Sequence, residues 1–262
     1  MPAAILDTII ATKKEEVRRQ KRAVPLGQLV QSVHFHRPTY SLQAALHSST
    51  TGIIAEYKRQ SPSKGVINNK AAVQEVVKQY QAGGAAAVSV LTDEPFFGGS
   101  LQHLLLARSV LTIPVLRKEF IIDEYQLYEA KACGADVILL IAACLAPAQV
   151  QELAACARSL GLEVLLELHS ADELGHICDE VSIVGVNNRN LKDFKVNLAH
   201  STALAPQIKK TKVAESGIDS IETLHRLKDA GFNGFLMGER FMREEDPGAE
   251  FIQFAQGLNK QA

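Results

Sequence analysis

After residue 50 the chain repeats one structural unit, and this repetition limits the folds open to it. Each unit is a short apolar run rich in β-branched residues, then a polar loop, an amphipathic helical pattern and a glycine before the next run. Eight runs occur, at residues 52–57, 86–91, 114–118, 136–141, 163–168, 182–187, 212–216 and 234–237. Nearly continuous apolar strands that alternate with helices indicate a parallel sheet covered by helices.

Eight such units in about 210 residues predict an α/β fold, a single closed (β/α)8 TIM barrel. The helical patterns include residues 72–81, 124–132, 147–160 and 220–230, and the last begins with Asp219 and Glu222 at the spacing of a capping box. A doubly wound open sheet is the alternative. It normally carries a Gly-x-Gly-x-x-Gly turn after its first strand, and the segment KRQSPSKG does not match that turn.

Residues 1–50 precede the first strand and contain two helical patterns. Their apolar residues recur with helical spacing, namely Ile5, Leu6, Ile9, Ile10 and Val17 in the first and Leu42, Ala45 and Leu46 in the second. We expect residues 1–50 to form a helical extension packed on a catalytic barrel domain of residues 51–262. Glu15 and Glu16 interrupt the basic residues Lys13, Lys14, Arg18, Arg19, Lys21 and Arg22, so we expect these basic residues to form a solvated helix face.

Composition excludes several classes of partner. The formal net charge is −1 and the sequence pI about 6.7, so no long-range positive field favours nucleic acid or a membrane surface. The apolar run at residues 137–146 is too short to span a bilayer. The sequence has no Cys-x-x-Cys pair and no His-Glu-x-x-His motif, which leaves a metal site without support. We expect a cytoplasmic protein without metal, a monomer or weak homo-oligomer.

Polar residues end five of the predicted strands, on the side where barrel enzymes carry their active sites. Because side chains alternate along a strand, the polar residue at each end can be assigned to the barrel interior or to the helices. Glu56 and Lys58 should face the barrel mouth, and Tyr57 the helices. Lys118 and Glu167 also fall on inward positions of their strands. The sixth strand ends at Asn187 and Arg189, and the seventh ends at Glu215, Ser216 and Gly217.

Two glycine-containing segments indicate the kind of ligand. ESGI and GFLMGERFM follow or contain the last two strands, where barrels bind phosphate through backbone N–H groups and a helix N-terminus. Gly217 and Gly238 allow the backbone to approach an anion closely. Together with Lys58 and Ser61, these segments predict a small phosphorylated substrate.

With these residues placed, the sequence resembles the indole-3-glycerol phosphate synthase family of tryptophan biosynthesis. The resemblance runs nearly end to end and rests on the order and spacing of IAEYKRQSPSKG, SVLTDEPFFGGS, VLRKEFI, GADVILLI, LLELHS, VGVNNRNL and VAESGI. It implies a carboxy-lyase that closes the ring of 1-(2-carboxyphenylamino)-1-deoxyribulose 5-phosphate to indole-3-glycerol phosphate, with loss of carbon dioxide and water. It also implies that no cofactor and no metal take part.

The resemblance assigns a role to each residue of the expected site. Lys118 is the general acid that protonates the substrate carbonyl, and Glu167 and Glu56 are the acid–base carboxylates of condensation and dehydration. Lys58 contacts the substrate and can deliver a proton, and Asn187 is a polar orienting group. The remaining positions are Arg189 near the anthranilate carboxylate, Phe97, Phe120, Leu139, Ile141 and Leu191 around the aromatic ring, and Ser61, Ser216, Gly217, Gly238 and Glu239 in the phosphate region; Ser216 is also counted with the catalytic residues.

Two positions depart from the family pattern. Tyr57 stands where an aliphatic residue is expected, and Glu239 stands where some relatives have serine, so its carboxylate should point away from the phosphate. Two other functions stay open at this point. The first is another sugar-phosphate barrel, such as a Schiff-base aldolase with Lys118 as nucleophile, and the second is a non-catalytic protein that binds a phosphorylated metabolite.

Overall fold

The computed structural model describes residues 5–190 and 195–260. Its eight long strands are β1 Ile53–Tyr57, β2 Ala87–Leu91, β3 Val115–Lys118, β4 Val137–Ile141, β5 Glu163–Leu168, β6 Ile183–Asn187, β7 Thr211–Glu215 and β8 Gly234–Met237. Every neighbouring pair is parallel, and β8 pairs with β1 to close the barrel. The predicted (β/α)8 barrel is therefore confirmed, and the doubly wound open sheet is excluded. A separate two-stranded hairpin joins Gln60–Ser61 to Gly65–Val66 after β1.

Helices cover the outside of the barrel and precede it. They are α1 Ile5–Ala23, α2 Leu26–Leu29, α3 Leu42–Ser48, α4 Val73–Ala82, α5 Glu94–Phe97, α6 Leu101–Arg108, α7 Tyr125–Ala132, α8 Pro147–Ser159, α9 Leu198–Leu204, α10 Ile221–Asp229, α11 Glu239–Met242 and α12 Pro247–Lys260, with 3-10 turns at Ala142–Cys144, Ala171–His176 and Ala205–Gln207. The expected cap of α10 is wrong by one residue, because the Ser220 hydroxyl, and not Asp219, accepts the Thr223 N–H. Within the described ranges no helix has both the length and the apolar character needed to cross a membrane.

A filled interior makes the barrel a packed core. Side chains that point inward from the strands form one buried cluster, which includes Ile54, Leu116, Leu139, Leu165, Val213 and Leu236. Leu42 and Leu46 of α3 belong to the same cluster and so close one end of the barrel. At that end the Ser41 hydroxyl donates to Glu163 at the start of β5. Since α3 fills the end where strands begin, a ligand has access at the opposite end, where the strands finish.

Alternation along β1 separates a polar interior from an aromatic exterior. Glu56 is buried inside, with the Ser89 hydroxyl of β2 3.4 Å from its Oε2. Tyr57 points toward the helices, where its hydroxyl donates to the Ala71 carbonyl at 2.8 Å and its ring meets His103 of α6 edge-on. The unusual tyrosine therefore lies outside the barrel mouth, as expected.

The basic face of α1 differs from the expectation at one residue. Lys13 is only 1% exposed, and its Nζ lies 2.8 Å from Glu16, 3.1 Å from Asp93 and 3.0 Å from Glu119. A helix face that looks solvated in sequence thus contains one buried ammonium. The reason is tertiary, because Asp93 and Glu119 come from the ends of β2 and β3 and meet Lys13 only in the folded chain.

Candidate active site

A lysine at the end of β3 lies between carboxylates from two other strands. Lys118 Nζ is 3.0 Å from Oε2 of Glu167 on β5 and 2.5 Å from Oε2 of Glu215 on β7. Asn187 at the end of β6 donates from Nδ2 to the other oxygen of Glu167, also at 3.0 Å. Lys118, Glu167, Glu215 and Asn187 are called the lysine cluster below. Four strand ends thus place one cation, two carboxylates and one amide in a single hydrogen-bonded group.

The two carboxylates of the lysine cluster have pKa values shifted in opposite directions. Burial opposes ionisation of Glu167, but the ammonium of Lys118 outweighs it and holds the pKa of Glu167 well below its ordinary value. For Glu215 burial prevails, assisted by the charge of Glu167, and raises its pKa to about 7. Burial alone would lower the pKa of Lys118, yet the surrounding carboxylates, Glu167 first, raise it above its ordinary value. Carboxylates with pKa values driven apart are typical of acid–base sites.

A second ion pair lies beside the lysine cluster. Lys58, just after β1, has its Nζ 2.9 Å from Oε1 of Glu56, and both side chains are largely buried. Glu56 is close enough to add to the negative potential at Lys118. Both residues line the same cavity as the lysine cluster. The cavity therefore offers two ammonium groups, each beside a carboxylate, to one bound molecule.

Sequence reasoning placed Glu215 at a strand end but left it out of the expected catalytic set. A glycine inside the neighbouring strand is the signal that could have indicated Glu215. Gly185 of β6 pairs with Val213 of β7, and Glu215 is the next residue on β7 whose side chain points to the same side as that of Val213. A Cβ at Gly185 would lie against the Glu215 carboxylate, so the glycine leaves the space that this side chain fills. His169, the residue after β5, was also missed; its Nε2 lies 3.1 Å from Oε1 of Glu167.

The cavity has an apolar wall on the side of β2 to β4. Phe97 of α5 and Phe120 after β3 have ring centroids 5.9 Å apart, and Leu139 and Ile141 of β4 complete the wall. All four were expected around an aromatic ring; a fifth, Leu191, lies outside the described residues. Sequence reasoning did not anticipate that α1 contributes side chains to this cavity, namely Ile5, Leu6 and Ile9.

Of the residues expected around a phosphate, Ser61, Ser216 and Glu239 line the cavity, whereas Gly217 and Gly238 are only the chain neighbours of Ser216 and Glu239. Ser216 has a φ of 66° and Gly217 a φ of 75°, and the left-handed conformation costs a serine about 1–2 kcal/mol. The side-chain amide of Asn188 donates to the Ser216 carbonyl at 3.2 Å and helps to hold this turn. Backbone strain maintained by the surrounding structure is common at ligand sites. Gly238 precedes α11, and Ser61 of the hairpin lies on the same cavity.

Glu239 connects this part of the cavity to two basic residues. Its Oε2 is 3.3 Å from Arg189 Nη2, and its Oε1 is 3.6 Å from Lys64 Nζ in the hairpin loop. All three side chains are partly exposed, so the contacts are readily exchanged for water or a ligand. The expectation that this carboxylate points away from a phosphate stays a prediction.

Metal binding has no structural support in residues 5–190 and 195–260. No group of three or more His, Cys, Asp or Glu side chains in these ranges is arranged to hold an ion. The carboxylates of the site are instead paired with the ammonium groups of Lys118 and Lys58. These ion pairs suit the binding and proton transfer of an organic substrate.

Solved structures that resemble the chain are parallel barrels. A mutant tryptophan synthase alpha-subunit from Pyrococcus furiosus superposes with a TM-score of 0.61 at 14% identity, covering 81% of this chain and 99% of its own. A thiamine phosphate pyrophosphorylase from Pyrococcus furiosus gives a TM-score of 0.60, also at 14% identity, covering 81% of this chain and 97% of its own. At such low identity these similarities establish the fold alone.

Sequence relatives are much closer. The family model of indole-3-glycerol phosphate synthase matches residues 6–254. The indole-3-glycerol phosphate synthase of Bacteroides thetaiotaomicron is 49% identical over 97% of this chain and 98% of its own length. That of Laribacter hongkongensis is 44% identical over 94% and 96% of the two chains. The match spans the barrel, the cavity and α1, and the chain belongs to the indole-3-glycerol phosphate synthase family.

Proposed function

We propose that the lysine cluster performs the ring closure that forms indole-3-glycerol phosphate, the product for which this family is named, by general acid–base catalysis without a cofactor. The chain is a decarboxylating lyase of tryptophan biosynthesis. Its substrate is 1-(2-carboxyphenylamino)-1-deoxyribulose 5-phosphate, and its product is indole-3-glycerol phosphate. The observation that carries the proposal is the position of Lys118, whose ammonium lies between Glu167 and Glu215 in the cavity that contains Phe97 and Phe120.

In the first step Lys118 acts as the general acid. The aromatic ring attacks the ketose carbonyl, and Lys118 gives a proton to the carbonyl oxygen as the new carbon–carbon bond forms. An acid of this kind must be protonated when the substrate arrives, and the carboxylates beside Lys118 ensure this. Loss of carbon dioxide then returns electrons to the ring and restores its aromaticity. Proton transfer from a placed side chain typically accelerates a step by about 10²–10⁴-fold.

The second step removes water and needs another acid and a base. The hydroxyl formed from the carbonyl must leave with a proton, and a proton must be taken from the substrate nitrogen or the carbon next to it. Glu167 is ionised and can accept a proton, while Lys58, paired with Glu56, can supply one. Asn187 orients Glu167 through its hydrogen bond to Oε1. Glu215, with its pKa raised to about 7, can carry a proton between steps.

The rest of the cavity suits the two ends of the substrate. The apolar wall of Phe97, Phe120, Leu139 and Ile141 suits the anthranilate ring, and Arg189, which lines the same cavity, would bind its carboxylate. The sugar phosphate would bind to the backbone near Gly217 and Gly238 and to Ser61. This orientation places the ketose carbonyl between the two ends, beside Lys118. We further infer a cytoplasmic location and a monomer or weak homo-oligomer.

An assay of the purified protein tests the proposal. Adding the carboxyphenylamino-deoxyribulose phosphate should produce indole absorbance, and absence of that product would contradict the assigned reaction. The Schiff-base alternative makes a different prediction, since borohydride and a ketose phosphate would then leave a covalent adduct on Lys118. We expect no adduct, because a Schiff base needs a neutral amine and Lys118 is an ammonium between two carboxylates.

A further inference from the structure

His169 makes a contact with the lysine cluster that the reaction described above does not use. It follows β5 directly, and its inward side chain continues the alternation of Leu165 and Glu167. Its Nε2 lies 3.1 Å from Oε1 of Glu167, although the angle is too bent for a regular hydrogen bond. The ring is only 11% exposed. Glu167 is therefore approached by Lys118 at Oε2 and by His169 and Asn187 at Oε1.

A second carboxylate lies on the other side of the imidazole. Glu173, in the 3-10 turn after β5, has its Oε2 4.0 Å from Nδ1 of His169. The same oxygen accepts the backbone N–H of His169 at 2.5 Å, and this hydrogen bond holds the Glu173 carboxylate next to His169. Two carboxylates on either side of one ring favour its protonated form. Burial opposes that form, but the contact with Glu167 outweighs it, and the pKa of His169 is raised above its ordinary value.

We propose that His169, as an imidazolium, is a positioning residue that keeps the Glu167 carboxylate ionised while Lys118 gives up its proton. The proposal rests on the function proposed above. When the Nζ–H bond of Lys118 breaks and the proton joins the carbonyl oxygen, Lys118 becomes neutral and Glu167 loses its nearest positive charge. The imidazolium of His169 keeps its charge and stays beside Oε1. Glu167 therefore remains a base for the following step.

The same charge assists the first step. Carboxylates around Lys118 hold its proton tightly, which makes the ammonium a weak acid. A positive charge on the far side of Glu167 offsets part of that hold and so eases proton donation. Both effects require the imidazolium and disappear when His169 loses its proton. A residue that merely filled space would show no such dependence on its charge.

Several ionisable groups surround His169 and must be included in any pH experiment. On its own strand Glu167 is in contact, and from the neighbouring 3-10 turns Glu173 and Cys144 face the same region. Glu215 and Lys118 act from across the barrel. All of them except His169 itself are kept in a His169 variant, so the ratio of wild-type to variant rates isolates the contribution of the imidazole.

The experiment compares kcat of the wild type and His169→Gln from pH 5.5 to 9.5. At low pH the imidazolium is present, and its loss should reduce kcat about tenfold, the effect of one unit in the pKa of a neighbouring group. The ratio should fall toward one as the pH rises through the pKa of His169. A ratio that is the same at every pH would overturn the proposal. Wild type that forms no indole product would instead contradict the assigned reaction.

Two further variants sharpen the test. Glu173→Gln keeps an oxygen that can accept the backbone N–H of His169 but removes one of the two negative charges beside the ring. The pKa of His169 should therefore fall, and kcat of this variant should drop at a lower pH than kcat of the wild type. His176→Gln is the matched control, because the two ring nitrogens of His176 lie 3.0 Å from the backbone carbonyls of Glu173 and Leu145 and are not seen to pair with Glu167 or Lys118 in the described residues. The ratio of wild-type to His176→Gln rates should stay the same at every pH.

If His169→Gln does not fold, the proposal can be tested on the wild-type protein. Titration of the His169 ring protons by NMR should give a pKa above 6.5. A pKa at or below the ordinary value would mean that the two carboxylates do not favour the imidazolium, and the proposal would be wrong.

Discussion

Lys13 Nζ of α1 lies 3.0 Å from Oε1 of Glu119, the residue that directly follows Lys118. The same ammonium is 3.1 Å from Asp93, whose carboxylate also caps α5 by accepting the Phe96 N–H at 2.9 Å. A helix that precedes the barrel is thus joined by one buried cation to the strand that carries Lys118 and to the helix that carries Phe97. The ammonium holds the middle of α1, one turn after Ile9, and Ile5 and Ile9 reach the cavity.

Replacing Lys13 by methionine should destabilise the protein substantially. The change keeps most of the apolar length of the side chain but removes the ammonium from beside buried Asp93 and Glu119, and breaking a buried ion pair typically costs about 3–5 kcal/mol. Denaturant unfolding measures the free energy. Lys14→Met is the control, because Lys14 is exposed and its loss should change the free energy of unfolding by less than about 0.5 kcal/mol. Equal effects of the two changes would show that the buried contact contributes nothing.

Lys118→Ala should nearly abolish kcat while substrate binding stays close to that of the wild type. The reason is that a general acid acts mainly in the transition state, where its proton is moving. Lys118→Arg should be nearly as inactive, since a guanidinium hardly releases its proton. Steady-state kinetics and a binding titration provide both quantities. Lys212→Ala, at the opposite end of the barrel, should keep full kcat; an active Lys118→Ala would remove Lys118 from the role of acid.

Glu167→Gln should lower kcat by at least about 10²-fold, the lower range for loss of an acid–base group. Glutamine keeps the shape of the side chain and can still accept from Asn187, so orientation is preserved while the charge and the proton-accepting capacity are removed. Glu163→Gln offers a control on the same strand, because Glu163 contacts Ser41 and Gln43 at the closed end of the barrel. Full activity of Glu167→Gln would move the base role to Glu56.

Glu215→Gln should change how stability depends on pH. The folded-state pKa of Glu215 is about 7 and the ordinary value is 4.5, so between these values the folded protein binds a proton that the unfolded chain has lost. Stability contributed by this group is therefore lost as the pH rises from about 4.5 to 7, by up to about 3 kcal/mol. The variant lacks this loss. Denaturant unfolding at pH 4.5, 6 and 8 measures this. The free energy of unfolding of Glu215→Gln should rise relative to that of the wild type between pH 4.5 and 8, whereas a constant difference would contradict the raised pKa.

Glu239→Ser should strengthen inhibition by inorganic phosphate by about two- to fivefold. The carboxylate of Glu239 adds negative charge to the rim and engages Arg189 and Lys64, and exposed contacts of this kind are worth at most about 1 kcal/mol. Inhibition constants measured at low and high salt would check the cause, since screening should reduce the difference. Glu244→Ser, outside the cavity, is the control. A variant that binds phosphate no better than the wild type would place the anion away from Glu239.

Local patterns in the sequence were enough for the barrel and for most of its rim. The recurring strand and helix signals, and the two-residue alternation that turns Glu56 inward and Tyr57 outward, depend only on neighbouring residues. Parallel strands that close into a barrel all end at the same rim, so Lys118, Glu167 and Asn187 could be grouped before any distance was known. The cap of α10 shows the limit of this reasoning, because Asp219 and Ser220 are adjacent and equally suitable in type.

Only the tertiary structure decided which charges meet and which are buried. Lys13 looks solvated because its partners are 80 and 106 positions away, and the strength of a charge contact depends on distance and burial in the folded chain. For the same reason the division of Glu167 and Glu215 into ionised and proton-carrying groups, and the contact of His169 with Glu167, follow from the packing of separate strands and turns. Sequence determines the kinds of groups at the barrel mouth; folding sets their distances, and the distances set their protonation.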